Sequence, residues 1–538
     1  MRFAAVQRVF PSWKNALLAA VAAVLLILAF PDFEYWFLAW FALVPLTWAV
    51  EREKESIFRS FVTGWLFGTL FFFGTCWWLT YAPIHYAGFP PWLAYSGMVF
   101  VSLAIGVFPG IFAAILSVLL RRFGSWAFLA APFVWVFTEF LRYWVTGNNW
   151  NAVGYSQAFV PEWTIILTPF KFYPASIGGI YLVSLFPVLT SSLAVYFIRK
   201  RYILAPIIVA LLLIGLACVG IYRSYIYPYS DSRLPPTVAA KAIAVQPNVP
   251  MSGLDFQKYQ QLRQRQIELA ETELRKDTEQ LPANSLEPPA EPVLVILPES
   301  PMNFMYNDDR EFQQFIGDFA RRNNVNVLFN SAEPDATNGK FFNSAVMVGP
   351  EGREVAQYDK IFLLPFGEAV PPILEGIMPG FVGNFSYGRE YDILPIGDAK
   401  AGVMICFESH FGQLSRRYVQ DGADVLIEMT NDGYLGPTPV LRQHLANAVF
   451  RAVETNRPVL RVTNVGVTAY INERGSVINP APTYEEASRI WSVSKSDGSQ
   501  TFYVKYGDWF AWLCSLVTVG LLIFSFSRRR PRQQQKSI

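Results

Sequence analysis

The sequence predicts a polytopic α-helical membrane protein of about eight spans with one α/β domain inserted among them. Three observations carry this. Apolar stretches of spanning length crowd the two ends of the chain, lysine and arginine fall in alternate loops between those stretches, and the middle alternates short apolar strands with helices. With 52% hydrophobic and 16% aromatic residues in 538, and mean hydropathy +0.26, the composition is not that of an ordinary soluble protein. A net charge of +2 calls for no polyanionic partner, so no nucleic acid is expected.

The candidate spans lie near 15–30, 34–50, 60–80, 92–120, 126–146, 177–198, 202–222 and 508–527. Each approaches the ~20 residues needed to cross a bilayer core. The first has no small-residue cleavage site before Pro31, and further spans follow at once, so it does not read as a signal peptide. Arg2, Arg8 and Lys14 precede the first span, Arg52, Lys54 and Arg59 follow the second, and Arg121 and Arg122 follow the fourth. Arg199, Lys200 and Arg201 lie between the sixth and seventh, and SRRRPRQQQK ends the chain, whereas PDFEY and TYAPIHYAGFPPW contain no lysine or arginine. By the charge bias of loops, both termini are expected in the cytoplasm. The expected organisation is a membrane domain at 1–230 with about seven helices, an extracytoplasmic domain at 231–501, and a last helix with a basic tail at 502–538.

Roughly 270 residues suffice for one domain with a sizeable core. AKAIAVQ, PVLVILPE, VNVLFNS, NSAVMVG, AGVMICF, DVLIEMT and RPVLRVTN read as strands. FQKYQQLRQRQIELAETELRK and LRQHLANAVFRAVETN read as amphipathic helices, and LPANSLEPPAEP as a loop.

Three residues stand at the ends of extended runs in this domain: Glu299 in ILPES, Lys360 in YDKIFLLPFGE and Cys406 in GVMICFESHFG. Strand ends are where a fold can project reactive side chains into a pocket. A carboxylate, an ammonium and a thiol together can perform acyl transfer: the glutamate takes the thiol proton, the thiolate attacks a carbonyl, and the lysine stabilises the oxyanion. Taken singly, each has a plainer reading, as a buried small hydrophobe, a solvated loop acid or a surface charge. The other cysteines, Cys76, Cys218 and Cys514, fall in candidate spans, which leaves Cys406 a free thiol. Glu368 and Glu408 are either a second carboxylate pair in the pocket or partners of Arg389 or Arg416. His410 and His444 open a Cys–His alternative, with His410 the incidental neighbour. No HExxH, CxxC, GxGxxG or P-loop string occurs, so no metal or nucleotide cofactor is expected. In VWVFTEFLRYW, Glu139 and Arg142 form either a local i,i+3 ion pair or a polar lining where a lipid headgroup could sit; a structural or docking role is favoured over a catalytic one.

ILPES, YDKIFLLPFGE and ICFES resemble the Glu–Lys–Cys elements of the nitrilase superfamily, whose domain is a four-layer αββα sandwich. Combined with the spans, they resemble the bacterial apolipoprotein N-acyltransferase family. TEFLRYW followed by GYSQ, VQPNVP, NDGYLG, RAVETNRPVLRVTNVGVTAYI and TFYVKYGDWF agree, over nearly the whole chain. The resemblance implies Glu299 as base, Lys360 as stabilising lysine and Cys406 as nucleophile, with Glu368 and Glu408 at further acidic positions of the site. It implies a phospholipid acyl donor, a diacylglyceryl-prolipoprotein acceptor after signal-peptide removal, a cysteine thioester and ping-pong turnover. The Phe407 N–H would join Lys360 at the oxyanion. The loop charges place the inserted domain outside, in the periplasm if the cell has two membranes, and a monomer in the inner membrane is expected. Phe407 stands where the family commonly has Tyr, and Phe256 is the aromatic nearest the position of a frequent Trp, which bears on substrate gating. The rival readings are a membrane-tethered nitrilase-type amidohydrolase and a non-enzymatic scaffold or transporter.

Overall fold

The computed structural model describes residues 9–161, 168–200, 238–279, 291–365, 367–369 and 385–527. The chain forms two compact units, one of Met1–Arg223 with Asp508–Ile538 and the other of Ser224–Gly507.

The first unit is helical. Its main elements are α1 (Trp13–Leu28), α2 (Val44–Glu53), α3 (Ile57–Cys76), α4 (Pro91–Phe123), α5 (Ala127–Thr146), α6 (Thr168–Lys200) and a C-terminal helix, Trp509–Ser527. Among the described residues, four helical stretches are long and apolar enough to cross a membrane: Ile57–His85, Pro91–Thr146, Tyr173–Lys200 and Trp509–Ser527. The stretch Pro91–Thr146 contains both α4 and α5, which separate at Gly124, whose φ of +59° a helix cannot continue. The expected span at 34–50 is not one helix but short pieces, because Pro45 has no N–H to give and its ring displaces the carbonyl four residues back. The expected span at 202–222 lies outside the described residues. Close packing of α3 on α4 depends on glycine: a Cβ on Gly64 would collide with the Pro109 carbonyl, and one on Gly68 with Gly106. At one end of the bundle Glu53 accepts from the Ser12 N–H (3.0 Å) and Asn15 Nδ2 (2.6 Å) and pairs with Arg59 (3.1 Å), while Glu51 pairs with Arg199.

The second unit holds two sheets. In chain order its strands are β1 (Val238–Gln246), β2 (Val293–Ile296), β3 (Asn326–Pro334), β4 (Phe341–Val348), β5 (Glu354–Asp359), β6 (Phe385–Ser386), β7 (Ile393–Ile396), β8 (Ala399–Ile405), β9 (Val425–Thr430), β10 (Val459–Thr463), β11 (Ala469–Ile471), β12 (Val477–Ile478) and β13 (Ala487–Ser494). One sheet runs β13-β1-β2-β3-β4-β5 with β6 beside β4, and the other β12-β11-β10-β9-β8-β7. The centre of each is parallel, β1-β2-β3 in one and β8-β9-β10 in the other; the outer pairs are antiparallel except β6, which runs parallel to β4.

Alternation along the strands explains the layers. Ile243, Val245, Val295, Val327, Phe329 and Val346 share one core with Ile267 and Ala270 of α7 (Phe256–Glu279) and with Phe312, Ile316 and Phe319 of α8 (Arg310–Asn323). Residues one step away, such as Ala242 and Ala244, turn to the opposite face, where their small side chains leave room for the second sheet. Gln246 crosses that seam to accept from the Thr463 hydroxyl of β10 (3.2 Å). On the far side of the second sheet lie α9 (Gly412–Gln420) and α10 (Val440–Thr455), which completes an αββα sandwich.

Two departures from the sequence reading matter. Helix α8 was not expected, yet its apolar positions recur at 312, 315, 316, 319 and 320, and Asp309 caps it by accepting the Phe312 N–H at 3.0 Å. Helix α10, expected to be amphipathic, is buried along nearly its whole length, polar side as well as apolar. Its polar residues face protein.

Candidate active site

Strand β2 stops at Ile296, and Pro298, which cannot donate to the ladder, turns the chain so that Glu299 leaves the sheet. Its carboxylate accepts from Asn343 Nδ2 at 3.1 Å on one oxygen and from the Asn431 N–H at 3.1 Å on the other. Asn343 sits on β4, and its amide orientation is fixed because its oxygen accepts from Asn330 (2.7 Å). Lys360 follows β5 directly. Its N–H bonds the Asn343 carbonyl (2.9 Å) and its own carbonyl receives the Gly388 N–H (2.8 Å), so the backbone is held on both sides. The buried ammonium lies 2.8 Å from Glu368 Oε1 and 3.9 Å from Glu299 Oε1. Glu368 also accepts from Asn343 Nδ2 (2.6 Å) and the Leu364 N–H (2.7 Å). Glu299, Lys360, Glu368 and Asn343 thus form one hydrogen-bonded group.

Cys406 follows β8 and begins a 3-10 turn, Cys406–His410. Its φ is +52°, a left-handed conformation that a side chain with a Cβ adopts at a cost of order 1–3 kcal/mol. The Glu299 carboxylate and the Thr430 hydroxyl are near enough to the thiol to act on its ionisation. Sequence spacing alone could not bring these residues together; the two sheets do so at the ends of β2, β5 and β8.

The charges follow from burial. Desolvation raises the Glu299 pKa above the usual carboxylate range, Lys360 partly offsets this, and the Glu368 charge adds to it, leaving a carboxylate suited to accept a proton. Burial, reinforced by the charge of Glu299, pushes the Cys406 thiol well above its ordinary pKa, so the resting pair is thiol and carboxylate. Burial opposes the Lys360 charge, but Glu368 and Glu299 outweigh it and hold the ammonium protonated.

Glu408 behaves differently from either expectation. It contacts neither Arg389 nor Arg416 among the described bonds. Wholly buried, it accepts from the Tyr358 hydroxyl (2.7 Å), the N–H groups of Ile361 (2.8 Å) and Phe362 (3.1 Å), and the Ile405 N–H (2.9 Å). It ties the turn after Lys360 to the turn carrying Cys406, and burial lifts its pKa to about 7 against those bonds. Phe407 is buried against His410 and Phe411, with ring centroids 4.8 and 5.3 Å away. Phe256 begins α7 and is exposed.

Within the helical unit, Glu139 and Arg142 bind both α5 itself and the segment after it. Glu139 accepts from Trp135 Nε1 and the Val153 N–H, each at 2.8 Å, and Arg142 donates to the Trp150 carbonyl at 2.7 Å beneath the Phe72 ring. The cavity they line with Phe72 and Asn151 measures about 20 Å³, too little for a headgroup. The geometry is that of an anchor for residues 148–157 rather than a lining.

A second polar cluster behind Cys406 went unread in the sequence. His444 Nδ1 lies 2.6 Å from Asp432 Oδ1, and its Nε2 lies 3.1 Å from the Cys406 carbonyl, 3.0 Å from Ser409 Oγ and 3.2 Å from Glu428. Arg461 pairs with Glu428 at 2.5 Å and Asp432 at 2.8 Å, and all four residues are buried. The Cys–His alternative therefore changes form, since His444 reaches the backbone of the nucleophile turn. His410 binds the Phe407 carbonyl (2.8 Å) and Asn447 (3.3 Å), and burial followed by the charge on His444 keeps it neutral. Asp432 lies in the NDGYLG string, but nothing in the spacing points it at residue 444.

Two stacked sheets between helical layers, with Glu, Lys and Cys converging from three strand ends, define a nitrilase-type domain. Residues 288–501 match the family model described as Carbon-nitrogen hydrolase, and residues 22–193 match that described as Apolipoprotein N-acyltransferase N-terminal domain. Similar over nearly full length are the Apolipoprotein N-acyltransferase of Geobacter metallireducens, 29% identical with 97% of each chain covered, and that of Thermotoga maritima, 28% identical with 95% of this chain and 94% of the other covered. Among solved structures, Saccharomyces cerevisiae Nit3, of branch 10 of the nitrilase superfamily, aligns at 18% identity and TM-score 0.36 over 47% of this chain and 90% of its own. The chain belongs to the apolipoprotein N-acyltransferase family.

Proposed function

We propose that this enzyme transfers a fatty acyl group from a phospholipid to the α-amine of the diacylglyceryl-modified N-terminal cysteine of a lipoprotein, through a thioester on Cys406. The observation that carries the reading is the convergence of the Cys406 thiol, the Glu299 carboxylate that acts on its ionisation, and the Lys360 ammonium 3.9 Å from that carboxylate. Glu299 takes the thiol proton as sulfur attacks the ester carbonyl. The tetrahedral oxyanion is met by Lys360 and by the Phe407 N–H, which opens the 3-10 turn where N–H groups lack helical partners. Collapse breaks the ester C–O bond, and the departing lysophospholipid takes the proton from Glu299. In the second half-reaction the lipoprotein amine attacks the thioester, Glu299 accepts its proton, and the thiolate leaves and is reprotonated.

Glu368 and Asn343 act on the same site by fixing Lys360 and Glu299, and Glu408 by fixing the two turns. Glu139 and Arg142 shape the helical unit. That unit of about eight crossings lies in the inner membrane, both termini are cytoplasmic, residues 231–501 face the periplasm, and the enzyme works as a monomer. Membrane anchoring suits two substrates that are themselves embedded in lipid.

The test is intact-protein mass spectrometry after exposure to phospholipid without acceptor. An acyl adduct on Cys406, with about one lysophospholipid released per enzyme, is expected. A peptide with a diacylglyceryl-cysteine N-terminus should then discharge it to an amide. Equally fast discharge by water, with the peptide unmodified, would establish the amidohydrolase-type reading instead.

A further inference from the structure

One buried side of α10 closes on the turn that carries the nucleophile. His444, Asn447 and Arg451, spaced three and four residues apart, fall on one helical face. His444 reaches the Cys406 carbonyl and Ser409 Oγ, Asn447 reaches His410 Nε2 (3.3 Å), and Arg451 donates to the carbonyls of Ser409 (3.3 Å) and His410 (3.2 Å). The turn so gripped contains a left-handed non-glycine residue at the position that performs the chemistry. A strained conformation persists only where its surroundings enforce it.

We propose that His444 is a positioning residue for the nucleophile: by donating from Nε2 to the Cys406 carbonyl it fixes the left-handed turn that presents the thiol to Glu299 and the Phe407 N–H to the acyl oxygen. The inference rests on Cys406 being the acyl carrier.

The bonding pattern suits a charged imidazole. Asp432 at Nδ1 is an acceptor, and so are the Cys406 carbonyl and the Glu428 carboxylate at Nε2, and a ring with hydrogen on both nitrogens donates on both sides. The neutral ring would set a lone pair against one of these acceptors. Four charged or titratable groups face His444, and the two anions among them support its charge. Asp432 comes from the turn after β9, Glu428 from β9 and Arg461 from β10, while the neutral His410 ring, on the nucleophile turn itself, lies 5.3 Å from the His444 ring. On α10, Arg451 is paired with Glu454 (2.6 Å). Burial and Arg461 work against the charge, but Asp432 and Glu428 outweigh them and lift the His444 pKa to about 9. With His444 charged, two cations balance two anions behind the thiol; its deprotonation would leave one excess negative charge beside a thiol that must itself ionise.

The test follows the first half-reaction alone, because the acceptor amine titrates in the same range. Full-length wild type, His444→Gln and Asp432→Asn are given phospholipid without acceptor, and lysophospholipid release and the Cys406 adduct are followed from pH ~6 to pH ~10.5. Rates are taken per folded enzyme, counted by thiol titration. The wild-type rate should hold until about pH 9 and fall above it, as His444 loses its proton. Asp432→Asn removes the main support of that charge, so the falling limb should move to lower pH by about one unit or more. His444→Gln should lose the limb and acylate about 10- to 100-fold more slowly at neutral pH, with the phospholipid KM nearly unchanged. A merely structural histidine would reduce the amount of folded enzyme but leave the rate per titrated thiol and the alkaline limb where they are, which overturns the inference. If His444→Gln does not fold, Asp432→Asn decides: a limb shared with wild type refutes the inference. A wild type that forms no adduct at Cys406 overturns the thioester reading itself, whereas an adduct with unchanged variants overturns this inference alone.

Discussion

Replacing Glu299 by Gln tests whether the carboxylate is the base or only a neighbour. The change keeps the shape of the side chain. It leaves one acceptor oxygen where Glu299 uses two, one for Asn343 and one for the Asn431 N–H, so a single hydrogen bond of about 1 kcal/mol is lost. The fold should survive with a small drop in Tm. The effect on rate should be far larger. An ordinary thiol with pKa near ~8.5 is about 10% thiolate at pH ~7.5, and burial drives Cys406 well above its ordinary value, so the ionised fraction without a base is smaller still. Loss of a positioned base costs about 10²- to 10⁴-fold, equivalent to roughly 3–5 kcal/mol in the barrier. The assay is single-turnover acylation of Cys406 by phospholipid, read as adduct mass and as lysophospholipid released. In wild type the rate should fall as pH drops through the raised Glu299 pKa, since protonation removes the base; that limb should vanish in E299Q. Acylation by E299Q within tenfold of wild type, with the acid limb intact, would refute the assignment.

Lys360→Ala should lower the acylation rate by about 10³-fold or more, because it removes an oxyanion donor and leaves Glu299 and Glu368 sharing Asn343 with no cation between them; single-turnover acylation measures this. Glu408→Ala should destabilise the domain by about 3 kcal/mol or more, since three buried N–H groups and the Tyr358 hydroxyl lose their acceptor, and a normal denaturation midpoint would contradict that role. Arg142→Ala should reduce folded yield through loss of its Trp150 bond and leave Cys406 acylation per folded enzyme near wild type, so a well-folded variant that never forms the thioester would place Arg142 in the chemistry. A reporter fused after Lys241 should be active outside the cytoplasm and one at the C-terminus active inside, the reverse pattern overturning the proposed topology.

The sequence by itself determined what depends on local pattern. Apolar length set out the helical ends of the chain, and short β-branched-rich apolar runs located β1, β2, β3, β4, β8, β9 and β10. Strand ends also picked out Glu299, Lys360 and Cys406, because the end of an apolar run is visible along one dimension. The continuity of the 34–50 helix was misjudged, since hydropathy counts Pro45 as harmless while backbone geometry does not. What only the tertiary structure decided is which polar residues face one another. Glu408 had an acidic residue's signal and proved to bind four donors, from β5, the turn after Lys360 and the end of β8. Asn343, Thr430, Glu428, Asp432 and Arg461 carried no signal that separated them from surface polar residues, because their partners lie on other strands and helices, and His444, noticed as a Cys–His candidate, gave no sign of which atoms it would meet. Burial then gave each its charge state: desolvation penalises an ion, and only the neighbours that packing supplies, Asp432 and Glu428 for His444 or Glu368 for Lys360, make the charged form the stable one.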